Sequence, residues 1–173
     1  MKTTILAIAV ALASIPAAGA AQEADNVEAL AGDFRIVHLW TTDPEAFLEA
    51  WKQPTPPTLA TTTRTQRNRP IQQFIIFGNC RANEAGDCHL TARVDITAPD
   101  GSPYGEPMVF EALPPSPAPP RGRLILAPAS IGFQVEDGEQ LGTYRVALAV
   151  TDEVSAQTAT SRISLQVDEE MAD

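Results

Sequence analysis

The chain has two histidines, the residue type most often used for acid–base catalysis near neutral pH. Neither His38 nor His89 accompanies a G-x-S-x-G turn, the setting that exposes a serine nucleophile to a histidine in many hydrolases. The sequence also contains no glycine-rich phosphate loop, dinucleotide fingerprint, paired-histidine zinc motif or calcium loop. It therefore predicts no catalytic residue, no cofactor and no metal site.

The two cysteines, Cys80 and Cys88, are predicted to form a disulfide. Their C-x₇-C spacing differs from the C-x-x-C spacing of redox sites, and no further cysteine pair is available to complete a zinc site. Free thiols or metal ligation are the less favoured alternative. A disulfide indicates an oxidising compartment.

Three arginines, Arg64, Arg67 and Arg69, lie in or next to the threonine-rich run Leu59–Asn68. Guanidinium groups bind carboxylates and phosphates in a bidentate manner, so the cluster is a candidate anion site. The alternative, which we favour, is a solvated edge strand whose charges prevent pairing with another sheet.

Aromatic side chains provide a second candidate binding surface. Trp40, Phe47 and Trp51 can form a platform for sugars or peptides, although ordinary core packing is the favoured interpretation.

Acidic residues cluster in two later segments and can hold calcium between strand ends, but solvated turns are the favoured interpretation. These residues are Glu136, Asp137 and Glu139, with Asp152 and Glu153. An enzyme that uses scattered acidic and basic groups leaves no motif, so it stays open as the alternative function. In that case Arg64 or Arg67 is expected to act with Asp95 or Asp100.

The segment Ile71–Pro99 is predicted to be two strands joined by a short loop. Apolar and polar residues alternate from Cys88 to Thr97, which is typical of a strand with one buried face. If the cysteines face each other in an antiparallel pair, Phe74 lies opposite Val94 and the apolar residues share a face. The sequence thus predicts a β-hairpin that contains its own disulfide.

A short helix is predicted to cover the first strand of that hairpin. Residues 74–77 are apolar on both faces, which favours a strand that is covered on both sides. Asp43 can cap the helix and Pro44 suits its first turn. Since Phe47 lies on its apolar face, we expect the helix to pack on Ile75 and Phe77.

The first 20 residues, Met1–Ala20, have the pattern of a secretory signal peptide. Lys2 provides the positive start, Ile5–Ala13 the apolar segment, and Ala18-Gly19-Ala20 the small-residue cleavage pattern. Residues 21–32 are predicted to be a flexible leader and residues 33–173 a single domain. No other window is long and apolar enough to be a transmembrane segment.

The formal net charge of −10 argues against nucleic acid or an anionic membrane as the partner. Heavy use of arginine and a compact signal peptide are typical of bacterial proteins, so we expect a periplasmic or secreted location. Another envelope protein is the expected partner.

Proline marks the middle of the chain. Met108–Leu113 is predicted to be a strand, and the five prolines of segment 114–120 to form an extended polyproline connection. Recognition of that segment by a partner is the less favoured alternative.

The last third of the chain contains further strands, among them Tyr144–Thr151 and Thr158–Val167, which are predicted to form a terminal hairpin. Here Glu136-Asp137-Gly138 followed by Gly142-x-Tyr144-x-Val146 resembles the tyrosine corner of immunoglobulin-like sandwiches. The resemblance implies that the Tyr144 hydroxyl bonds back to the preceding turn. In contrast to antibody domains, Val146 stands where the second cysteine is found and no matching core tryptophan is present.

Taken together, these patterns predict an immunoglobulin-like antiparallel β-sandwich of about seven or eight strands, with one short N-terminal helix and an intra-hairpin disulfide. The predicted function is an exported, non-enzymatic binding or interaction module, because such domains host many functions and no catalytic motif is present.

Overall fold

A computed structural model describes residues 25–53 and 58–169. The predicted signal peptide, Met1–Ala20, lies outside the described residues.

The described residues form ten strands and one helix. In chain order these are β1 (Glu28–Ala31), β2 (Phe34–Thr41), α1 (Pro44–Trp51), β3 (Arg64–Gln66), β4 (Ile71–Gly78), β5 (Asp87–Thr97), β6 (Met108–Pro117), β7 (Leu124–Leu126), β8 (Ile131–Phe133), β9 (Gly142–Asp152) and β10 (Gln157–Asp168). The sequence predicted about seven or eight strands, and four of the ten have only three or four residues, too few to show a clear alternation.

Two sheets enclose the core. The first sheet has the order β1-β2-β4-β7, with β8 also paired to β4, and the second has the order β3-β10-β9-β5-β6. Pairing is antiparallel except for β3, which runs parallel to β10 at the edge of the second sheet. The predicted mainly-β sandwich with one short helix is confirmed.

The predicted hairpin of β4 and β5 is wrong, because these strands lie in different sheets. β4 pairs with β2, β7 and β8, whereas β5 pairs with β6 and β9. The alternation of apolar and polar residues in β5 shows only that one face of this strand is buried. It is therefore compatible with β4 lying beside β5 in one sheet and with β4 facing β5 across the core. The connection between them crosses from one sheet to the other.

The Cys80–Cys88 disulfide is present, with the two Cα atoms 6.0 Å apart. Cys80 lies two residues after β4 ends, and Cys88 is a buried residue of β5. The bond therefore joins the two sheets at one end of the sandwich, and the prediction that it lies within one hairpin is corrected.

Helix α1 begins as the sequence predicts, since the Asp43 carboxylate accepts a hydrogen bond from the Ala46 amide at 2.9 Å. The helix packs on the outer face of the first sheet, where the Phe47 ring stacks on Phe74 with centroids 4.3 Å apart. Ile75 and Phe77 instead face the core between the sheets. The expected contact of α1 with those two residues is wrong, because both faces of β4 are apolar and the sequence alone does not distinguish them.

Two further segments differ from the prediction. Residues 28–31, expected to belong to a flexible leader, form the edge strand β1 paired with β2. Strand β6 continues through Pro114, Pro115 and Pro117, where a polyproline connection was expected. Since β6 is the edge of its sheet, a proline there does not break a hydrogen bond to a further strand.

The terminal hairpin of β9 and β10 is confirmed, with an unbroken antiparallel register from Gln157↔Asp152 to Val167↔Gly142. Inside the sandwich, the hydroxyl of the buried Tyr144 donates to the Gln140 carbonyl at 2.6 Å. This is the contact that the resemblance to immunoglobulin-like domains implies. In the described ranges, no helix has the length and apolar character needed to cross a membrane.

Candidate binding cleft at the edge of the second sheet

The chain reverses direction just after β3 and thereby brings two of its arginines together. Asn68 adopts a left-handed conformation with φ of 59°, which asparagine tolerates better than most residues. The turn is closed by a hydrogen bond from the Arg69 amide to the Gln66 carbonyl at 3.1 Å. The Thr65 hydroxyl donates to the Arg69 carbonyl at 2.9 Å. Arg69 therefore returns to the side of the strand on which Arg64 lies.

A cleft of about 740 Å³ lies between this turn, the end of β2 and the end of β10. Its volume is in the range of small-molecule sites, roughly 300–1,000 Å³. The lining residues are Thr42, Arg64, Thr65, Gln66, Arg69, Pro70 and Asp168. We call this the arginine cleft.

Asp168 is the acidic member of the arginine cleft. Its carboxylate accepts hydrogen bonds from Gln166 at 3.0 Å and from Arg64 at 2.7 Å, and these two contacts lower its pKa. The ionised carboxylate fixes the position of the Arg64 guanidinium. The lining thus contains two guanidinium groups and one carboxylate, in a chain whose formal net charge is −10.

The third predicted arginine, Arg67, does not line the cleft. Its guanidinium donates to the Glu139 carbonyl at 3.3 Å and lies 3.6 Å from the Glu169 carboxylate. The structure thus brings Arg64 and Arg69 to one site and directs Arg67 to the loop between β8 and β9.

The three aromatic candidates do not form a single platform. Trp40 is almost completely buried between the sheets, and Phe47 is buried on the outer face of the first sheet. Trp51 is half-buried at the last residue of α1.

The acidic residues considered for catalysis or calcium have local partners. Asp95 forms two hydrogen bonds of 2.8 Å with Arg93 on the same strand. Hydrogen bonds from Gln140 and then Ser102 lower the pKa of Asp100 to about 2. The arginine cleft contains neither residue.

The acidic segments expected in turns stabilise loops. Glu139 accepts hydrogen bonds from the Tyr104 hydroxyl at 2.8 Å and from the Glu136 amide at 2.6 Å. The buried Asp152 carboxylate accepts from the Arg81 amide at 2.8 Å and from the Ser155 hydroxyl at 2.7 Å. Among the residues that the structure describes, no three histidine, cysteine or acidic side chains form a group that could hold a metal ion.

A buried histidine lies close to the arginine cleft, and the sequence analysis did not select it. His38 Nδ1 donates to the Ser161 hydroxyl at 3.1 Å, Ser161 donates in turn to the Asn26 carbonyl at 2.6 Å, and His38 Nε2 accepts from Trp40 Nε1 at 2.9 Å. This chain of donors requires the neutral imidazole. Burial lowers the pKa of His38 from 6.5 to about 3. The sequence does contain an indication that His38 is buried. Its position in β2 alternates in step with Phe34, Ile36 and Trp40, which face the core.

Comparison with known proteins yields structural similarity only. No family model and no curated protein sequence matches the chain. One similar solved structure is the CARDB domain of a Pyrococcus furiosus protein in complex with di-metal ions, with 17% identity, a TM-score of 0.36, and coverage of 62% of this chain and 86% of that one. Another is a Niemann-Pick type C2 protein from the Japanese carpenter ant, with 9% identity, a TM-score of 0.39, and coverage of 84% and 96%. Both TM-scores are below 0.5, so neither similarity supports an assignment of ligand, metal or partner.

Proposed function

We propose that this chain is an exported, non-enzymatic binding module of the bacterial envelope, whose ligand presents a carboxylate or phosphate to the arginine cleft. The observation that carries the proposal is the placement of Arg64 and Arg69 in one cleft of about 740 Å³. Two arginines at one cleft provide guanidinium donors for an anionic group in a chain whose overall charge is negative. Asp168 holds Arg64 in place but also competes with a bound anion.

The test is titration of the mature protein with acetate and with inorganic phosphate at low ionic strength. Binding is monitored through the backbone amide chemical shifts in NMR spectra. Arg64→Gln and Arg69→Gln are each expected to weaken binding about tenfold or more, since a hydrogen bond to a charged group is worth roughly 1.5–3 kcal/mol. Asp168→Asn is expected to strengthen binding, because it removes the competing carboxylate.

Arg93→Gln is the matched control. Arg93 is an exposed arginine that pairs with Asp95 on the outer face of the second sheet, away from the cleft. Equal weakening by Arg93→Gln and Arg64→Gln would show that anions respond only to overall charge and would refute the proposal. The absence of saturable binding of either anion would refute it as well.

Export has its own test. The disulfide and the predicted signal peptide support an oxidising compartment. N-terminal sequencing of the protein recovered from the periplasm or medium of an expressing bacterium is expected to begin at Ala21. Recovery only from the cytoplasm, with Met1 retained, would contradict this part of the proposal.

A further inference from the structure

Asp168 gives the arginine cleft a charge opposite to that of its two arginines. The charged residues of the lining are Arg64, Arg69 and Asp168, and the other four lining residues are uncharged. A ligand that carries only a carboxylate therefore meets one charge of its own sign at the site. A ligand that also carries a positive charge can pair with all three charged side chains.

Gln66 is the residue that holds Asp168 and Arg69 near each other. In the parallel pairing of β3 with β10, Gln66 stands in register with Asp168. The Gln66 carbonyl also accepts the hydrogen bond from the Arg69 amide at 3.1 Å. The backbones of Asp168 and Arg69 are therefore fixed to the same residue of β3, and their side chains line the same cleft.

The carboxylate of Asp168 can accept further hydrogen bonds from a ligand. One of its oxygens accepts from Gln166 at 3.0 Å and the other from Arg64 at 2.7 Å, and these contacts lower its pKa. An ionised carboxylate has about four acceptor positions, so each oxygen keeps about one. The side chain of Asp168 is 42% exposed, which makes these positions accessible from the cleft.

Arg64 has donors left for the carboxylate of a ligand. A guanidinium group presents about five N–H donors, and among the described residues only Nη2 of Arg64 contacts Asp168. A carboxylate bound to the remaining edge of this guanidinium is separated from Asp168 only by the guanidinium itself. The positive group that pairs with Asp168 must therefore lie close to the carboxylate within the ligand.

We infer that the ligand is an α-amino acid, whose carboxylate binds Arg64 and Arg69 while its ammonium group donates to Asp168. This inference rests on the proposed function and names the ligand class for the same site. An α-amino acid carries its two charged groups on adjacent carbon atoms, as the position of Asp168 beside Arg64 requires. The cleft of about 740 Å³ is larger than these two groups need, which leaves room for a side chain.

The experiment compares glycine, acetate and 4-aminobutyrate at neutral pH and low ionic strength, with binding monitored through backbone amide chemical shifts. Glycine is acetate with an added ammonium group, so the difference between the two measures the contact with Asp168. Glycine is expected to bind about fivefold more tightly, which corresponds to ~1 kcal/mol, the upper value for an exposed ion pair. In 4-aminobutyrate two further methylene groups separate the same charges, so it is expected to bind no better than acetate.

Asp168→Asn and Asp33→Asn form a matched pair. Each removes a carboxylate that pairs with an arginine, at 2.7 Å to Arg64 and at 2.6 Å to Arg121. Asp33 directly precedes β2 and Thr42 of the arginine cleft directly follows it, so the control lies at the opposite end of that strand. Asp168→Asn is expected to strengthen acetate binding and to weaken glycine binding, so that glycine loses its advantage. Asp33→Asn is expected to leave the ratio of the two dissociation constants unchanged.

The outcomes separate this inference from the proposed function. If acetate binds in an Arg64-dependent way and glycine binds no better, the inference is overturned while the proposed function stands. Equal affinity for glycine and 4-aminobutyrate, or an advantage of glycine that survives Asp168→Asn, also overturns it. If no member of the series binds, the proposed function fails and the inference fails with it.

Discussion

Acid is expected to destabilise this protein through one buried residue, His38. The side chain has no exposed surface, and its two nitrogens are committed as one donor and one acceptor. Burial lowers the pKa of His38 in the native state to about 3. A second proton on Nε2 would in addition face the Trp40 N–H. In the unfolded chain, the imidazole takes up a proton near pH 6.5.

The sign and size of the effect follow from this difference. Because the pKa of the native state is lowered, the unfolded state binds the extra proton as pH falls below 6.5, and the free energy of unfolding decreases until the pH reaches about 3. Between pH 8 and pH 5 the contribution of His38 amounts to about 2 kcal/mol, at ~1.36 kcal/mol per pKa unit.

His38→Gln removes the titrating group. Urea unfolding of both proteins at pH 8, 6.5 and 5 gives the stability difference at each pH, and the carboxylates common to both proteins cancel. At pH 8 the wild type is expected to be more stable by roughly 1–3 kcal/mol, because the variant leaves buried partners without a hydrogen bond. At pH 5 that advantage is expected to shrink by about 2 kcal/mol.

His89→Gln is the control, since His89 is the other histidine of the chain and lies at the surface beside Glu111. The stability difference between wild type and His89→Gln gives the baseline for losing an exposed imidazole. If the advantage of the wild type over His38→Gln changes by less than 0.5 kcal/mol between pH 8 and pH 5, about a quarter of the value expected from linkage, the reasoning is refuted.

Three further predictions concern stability and can be measured by urea unfolding at pH 8. Tyr144→Phe is expected to cost about 1–2 kcal/mol, because it leaves the Gln140 carbonyl without its donor; an unchanged midpoint would contradict this. Phe47→Ala is expected to cost about 3–5 kcal/mol, since it removes the ring stacked on Phe74, and a loss below 1 kcal/mol would argue against that packing. Gln73→Met is expected to stabilise the protein by about 1–3 kcal/mol, because neither polar atom of this buried amide has a partner in the described part of the chain; destabilisation would refute that account.

Local patterns in the sequence were sufficient for much of the fold. The alternation in β5, the cap at Asp43 and the terminal hairpin depend on residues close in the chain, and all three are present. The prediction that β4 pairs with β5 was wrong. A disulfide with this spacing can join two neighbouring strands of one sheet, and it can equally join two strands that face each other from different sheets. Both faces of β4 are apolar, so nothing local indicates that Phe74 rather than Phe77 meets the helix.

The candidate site was only partly predictable for the same reason. The arginine cluster was visible, but its division into Arg64 and Arg69 on one side and Arg67 on the other depends on the left-handed turn at Asn68. Asp168 joins the site through the parallel pairing of β3 with β10, which brings distant parts of the chain together. No periodicity in the sequence reports such a contact.

The position of the disulfide has a consequence for the order of assembly. Its two cysteines are separated by only eight positions, so the loop that joins the sheets closes at a small entropic cost. The edge of the second sheet, by contrast, is completed only when β3 reaches β10 near the far end of the domain. We therefore expect a folding chain to align its two layers first and to add the strand that bears Arg64 last. Binding of an anion at the arginine cleft would then be detected only after the rest of the domain has folded.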